Sequence, residues 1–185
     1  RYYTPSGRCI QKEYKRGADG RYELDIAERF AHGEFYSQDS IKLDKSKRFR
    51  TVGGRVVYGG GGIMPDIFVA QDTIGYTSWY INVVNAGLIQ KYAFNVVEKY
   101  RPVLKGIKTL QQLERVIPRD DTLLDGLVQY AAANGVPARW YYINLSKQLI
   151  LRDLKSVIAR DVLGYGAMIQ SLNASDPTVL KALGK

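Results

Sequence analysis

The stretch 144-NLSKQLILRDLKSVIARDVLGYGAMIQSLN-173 decides how the rest of the chain is read. Leu145, Leu149, Leu154, Ile158, Val162, Tyr165, Ile169 and Leu172 recur at steps of three, four and five residues. That spacing predicts one long amphipathic helix with an apolar stripe facing a core. A helix of this length needs partners, and the sequence before it supplies them. YTSWYINVVNAG (76–87) suits a helix stopped by Gly87. LIQKYAFNVVEKY (88–100) places Leu88, Tyr92, Val96 and Lys99 or Tyr100 at helical spacing, with Pro102 able to end or kink it. TLQQLERVI (109–117) reads as a short helix capped by Thr109, and DDTLLDGLVQYAAANG (120–135) as another closing at Asn134 and Gly135. SDPTVLKAL (175–183) adds a last short one, with Asp176 as cap and Pro177 in its first turn.

Outward from the helices, toward the amino end, the texture changes near Asp72. RYYT and RCIQ flank a Thr4-Pro5-Ser6-Gly7 turn, which Pro pre-sets and Gly relaxes. ELDIAERFAHGE (23–34) reads as a short helix with Leu24, Ala27, Phe30 and Ala31 on one face and Gly33 as its stop. Short strands are expected at Arg55–Tyr58 and, after Pro65, at Ile67–Val69. The fold class expected is α+β: a small β-rich part over residues 1–72, with a long excursion at about 12–60, followed by a helical bundle over 73–185.

Composition narrows the function. The 185 residues are 45% apolar, enough for a packed core. Twenty-seven Lys and Arg against 18 Asp and Glu give a net charge of +9, which could favour acidic partners. The charges are interleaved with acids, so a solvated basic surface explains them. The densest basic run, KLDKSKRFR (42–50), reads as an exposed excursion, and no stacking-aromatic module accompanies it despite 14 Tyr. Nucleic acid is therefore not expected as a partner. No apolar run approaches the ~20 residues that span a bilayer.

Chemistry is sparse. A single cysteine, Cys9, excludes an internal disulfide and a Cys-rich zinc site. A single histidine, His32, excludes His-rich metal sites, and a Cys9–His32 nucleophilic pair lacks any local signature. Gly54 and Gly59 have P-loop spacing, but Gly60 stands where the lysine belongs, so Gly59–Gly62 reads as a place where backbone approaches backbone. Ser46-Lys47 and Ser146-Lys147 point apart on any regular element. Asp120-Asp121 sit at a helix start, where capping and the helix dipole account for them. No catalytic, cofactor-binding or metal-ligating residue can be assigned from the residues alone.

One stretch adds more. RYYTPSGRCIQ (1–11) resembles the Y-Y-T-P-S-G-R-x-I-Q segment of the carboxy-terminal processing, or tail-specific, proteases, in which it follows the catalytic lysine. GGIMPDIFV (61–69) resembles the family's G-I-x-P-D segment, which closes the protease core. The two occur in family order, at longer spacing than usual. GLIQKYAFNVVEKYR (87–101) and LKSVIARDVLGYGA (154–167) resemble the helical tail of a bacterial subgroup. The resemblance implies a Ser-Lys endopeptidase of the periplasm or cell envelope whose serine and G-K-G lysine precede Arg1. It implies no cofactor, protein or peptide substrates held by those preceding parts, and no activity in this chain alone. Tyr2 to Arg8, Gly62, Ile63, Pro65 and Asp66 carry over as scaffold only. Strands cut from a larger sheet would leave open edges, so self-association through the β region is expected. The alternative is a non-catalytic helical protein-interaction module.

Overall fold

The computed structural model describes residues 2–11, 21–41, 44–71, 73 and 75–184, with only the backbone of residues 21–23. Contacts divide the chain into two units, Arg1–Gln71 and Asp72–Lys185. Asp72, where the change of texture was expected, lies outside the described residues, as do Lys42 and Leu43 of the basic run and 12–20 of the excursion.

The second unit is a helical bundle. Its helices are α2 (Ser78–Asn85), α3 (Leu88–Leu104), α4 (Leu110–Val116), α5 (Asp120–Ala133), α6 (Trp140–Leu163), α7 (Tyr165–Asn173) and α8 (Pro177–Ala182); α1 lies in the first unit. Helix starts follow local chemistry. Thr77, Thr109 and Asp176 each accept a backbone N–H of the first turn through a side-chain oxygen. Gly87, at φ +66°, ends α2 and opens α3. α3 runs past Pro102 and stops two residues later, so the proline falls in the last turn, where few backbone bonds remain to be lost.

α6 packs against α2, α3, α4, α5 and α7 and is the centre of the bundle. Its extent differs from the sequence expectation at both ends. It begins at Trp140, four residues before Asn144, through an aromatic run that carries little helical signal. It ends at Gly164, whose φ of 93° and ψ of 177° no helix can contain, and α7 starts afresh at Tyr165. The expected apolar stripe is also displaced. Leu154 and Ile158 are fully buried, but Leu145 is 45% and Tyr165 67% exposed. The reason is geometric: the step from Leu149 to Leu154 is five residues, about 140° off a single face at 100° per residue. The inward face is Ile143, Ser146, Ile150, Leu154, Val157 and Ile158. Trp79, Val83, Ala93, Leu123, Leu127 and Ala131 complete the core around it. The Trp79 indole, 1% exposed, donates to the Pro137 carbonyl at 3.0 Å.

Among its described residues the first unit has one helix, α1 (Arg21–Ala31), a 3-10 turn at Gln38–Ser40 and one antiparallel hairpin. The hairpin pairs β1 (Arg48–Arg50) with β2 (Val56–Tyr58), Phe49 opposite Val57. β1 falls inside the basic run, where an exposed excursion was expected. Its alternation puts Arg48 and Arg50 outward and half-buries Phe49. Tyr2–Thr4 and Arg8–Gln11 do not form strands; a single antiparallel bridge, Tyr3 to Cys9, joins them, and Tyr2 and Tyr3 are both exposed. Ile67–Val69 is not a strand either. A strand needs a ladder partner, and among the described residues that segment has none. α1 forms and Gly33 follows it as expected, but Leu24 and Phe30 are about half exposed, so the predicted face is not buried. Among the described residues of this unit no apolar side chain is buried; Arg8 and Gly59 alone are.

Candidate functional site

The feature of the first unit that carries the most specific chemistry is built around the Thr4–Gly7 turn. Gly7 N–H donates to the Thr4 carbonyl and Thr4 N–H to the Arg8 carbonyl, both at 2.9 Å. The hydroxyls of Thr4 and Ser6 lie 3.0 Å apart. This turn sends the chain back so that residues 9 and 10 run beside the glycine run. There Gly60 N–H donates to the Cys9 carbonyl and Gly62 N–H to the Ile10 carbonyl, at 2.9 Å each. Arg8 reaches across and donates from Nη2 to the Gly62 carbonyl at 3.1 Å.

Gly59 shows why glycine is needed. A Cβ there would stand 2.9 Å from Phe49 Cε2 and 3.2 Å from the Cys9 carbonyl oxygen. The run is thus a site of close backbone approach, with no phosphate-loop lysine. Both carboxylate oxygens of Asp66 pair with the Arg55 guanidinium.

The weighed nucleophiles are not brought into catalytic arrangements. Cys9 is half-buried and its thiol points at the Gln11 carbonyl, 3.7 Å away. His32 is exposed just beyond α1, and no hydrogen bond joins the two. Ser46 donates to Asp44 Oδ1 at 2.5 Å. Ser146 is fully buried and donates to the Gly75 carbonyl at 2.7 Å, while Lys147 pairs with Asp121 at 2.8 Å. Asp120 and Asp121 open α5 and take Lys155 and Lys147 as partners. Hydrogen bonding to Lys147 holds the Asp121 carboxyl below its usual range. Among the described residues no cluster of three or more His, Cys, Asp or Glu could hold a metal ion, and no helix is long and apolar enough to cross a membrane.

Two polar clusters escaped the sequence reading. Tyr80, 6% exposed, donates to Asp153, which also holds the Arg152 guanidinium; burial first, then that bond, pushes the Tyr80 hydroxyl's pKa up. The Thr77 hydroxyl lies 2.7 Å from that of Ser146. Both clusters tie α2 to α6. Arg8, expected only as scaffold, is singled out by its burial.

Residues 79–164, just under half the chain, match a family described as a family of unknown function, DUF8443. The match falls wholly within the helical unit. No curated protein and no solved structure matches the chain.

Proposed function

We propose that this chain is the carboxy-terminal portion of a Ser-Lys endopeptidase of the tail-specific type, contributing the last segments of the protease core and a helical tail. One observation supports the reading best. The two segments that resemble the family's, Arg1–Gln11 and Gly61–Val69, are far apart in sequence yet hydrogen-bonded to each other through Ile10, Arg8 and Gly62. A resemblance in two places that also meet in space is harder to obtain by accident than either alone. In this reading the serine and lysine precede Arg1, and the chain works as scaffold in the cell envelope.

The test is the reading frame upstream of Arg1 and the product it encodes. A serine in a small-residue motif and a G-K-G lysine are expected there, and the longer product should be labelled by a serine-directed phosphonate. The chain alone should neither be labelled nor cleave an unfolded protein, since loss of nucleophile and base costs many orders of magnitude in rate. Labelling of Ser6 in the chain alone would overturn the assignment.

A further inference from the structure

Arg8 is 8% exposed, and among the described residues no carboxylate faces it. Its one hydrogen bond is the Nη2 donation to the Gly62 carbonyl, and its Nε is shut from solvent with no acceptor at all. A guanidinium cannot shed its proton to escape this situation. A buried cation without a counter-charge is costly, and each unmade bond adds to that cost. Two more exposed arginines of the same unit do have a carboxylate: Arg55 has Asp66 and Arg29 has Glu34.

The surroundings of Arg8 have the character of an incomplete pocket. With Thr4, Ser6, Thr51 and Val57 it lines a cavity of about 330 Å³, and Arg8 is the only charged side chain in that lining. The Thr4 and Ser6 hydroxyls line it too, 3.0 Å from each other. One fixed positive charge with neutral donors suits a monoanion such as a carboxylate, which a guanidinium holds by a two-bond fork. A dianionic phosphate would ask for a second cation. The rest of the lining includes the apolar side chains of Pro5, Val52 and Val57, and Val52 is 95% exposed. Free carboxylates do not cover such surface, whereas a polypeptide does.

We propose that the Arg8 cavity receives the carboxylate of an Asp or Glu side chain from a polypeptide that docks on this face of the first unit. The inference rests on the protease reading in one respect: the docking polypeptide is the part of the same protein that precedes Arg1. The carboxylate seats on the guanidinium's accessible Nη1 donors beside the Ser6 hydroxyl, and the apolar lining of Pro5, Val52 and Val57 closes over the pair.

The experiment follows the Arg8 Nε–H resonance by NMR. In this chain, sodium acetate is titrated against sodium chloride at constant ionic strength. A saturable shift with acetate and none with chloride is expected; a linear or absent response overturns the pocket. Arg8→Gln should abolish the response of the neighbouring Gly62 amide, and persistence of that response overturns the assignment to Arg8. Should Arg8→Gln unfold the unit, Ser6→Ala, which keeps the bond to Gly62, is expected to weaken acetate severalfold, and unchanged affinity overturns the pocket. In the longer product the Arg8 signal should already be displaced and insensitive to acetate. A signal that still responds there makes the ligand a free carboxylate and overturns the docking. The protease reading fails separately, by absence of phosphonate labelling, whatever the Arg8 signal does.

Discussion

The two units contrast in how they use apolar side chains. The helical unit closes a core around α6, with Ile143, Ile150, Leu154 and Ile158 fully out of contact with water. The first unit has comparable apolar residues, including Tyr2, Tyr3, Leu24, Ile26, Val52, Ile63 and Ile67, yet all of these are more than half exposed. Fully burying a large apolar side chain is worth about 1.5–3 kcal/mol, so this difference separates a bundle with a core of its own from a unit whose described residues are held mainly by backbone bonds. Apolar content alone therefore does not make a core; the elements must be long enough to present a continuous face, and a three-residue hairpin is not.

The strongest way to break the contrast is to separate the units. A fragment of residues 73–185 should retain a cooperative thermal transition by circular dichroism, and one of residues 1–71 should show none. A cooperative melt of the shorter fragment would mean the first unit is held by more than the contacts described. Next in size, Ile158→Asp should cost several kcal/mol, about 3–5, because it buries an unpaired charge, and the helical signal should fall at room temperature. Leu145→Asp on the same helix, at a half-exposed position, should stay within about 0.5 kcal/mol. Equal effects would show that the inward face has been misassigned.

A smaller effect is expected at Thr77. Thr77→Val removes the α2 cap and the hydroxyl that meets buried Ser146, and should lower stability by about 1–2 kcal/mol in urea unfolding. The alkaline limb is subtler. The Tyr80 hydroxyl keeps its proton longer when folded than the usual Tyr pKa of about 10 would allow. Its contribution is complete below pH ~10 and is lost as pH rises through the folded value, because the unfolded chain ionises first. The drop in melting temperature from pH 9 to pH 11 should accordingly be shallower in Tyr80→Phe than in the parent chain. The smallest effect is at the exposed Asp121–Lys147 pair. Its depressed carboxyl can stabilise only above the ordinary carboxylate pKa, and that share disappears as pH falls through the folded value. With salt and solvent screening, Asp121→Asn should not move the melting temperature measurably at pH 7.

Much of the helical unit was legible because its signals are local. Thr109 and Asp176 cap through bonds to residues two or three positions away, and Gly87 stops a helix by its own φ. The site region was less so. The Thr4–Gly7 turn could be read from Pro and Gly, but its meeting with Gly59–Gly62 is a contact across some fifty residues that no window reveals. β1 was missed because Arg48 and Arg50 dominate its composition, while Phe49 does the packing.

The sequence by itself determined the helix boundaries set by Gly87, Thr109 and Asp176, though not those of α6, since capping and backbone sterics act within a turn or two. Tertiary structure decided which face of α6 points inward. The true register runs through Ser146, a polar residue that periodicity counts against the core, and it is tolerated there because Gly75 and Thr77, seventy residues away, satisfy its hydroxyl. Tertiary structure also decided that Ile67–Val69 is no strand and that Arg8 is buried. Ladder partners, buried hydrogen bonds and counter-charges are supplied by distant parts of the chain, so no local pattern can encode them.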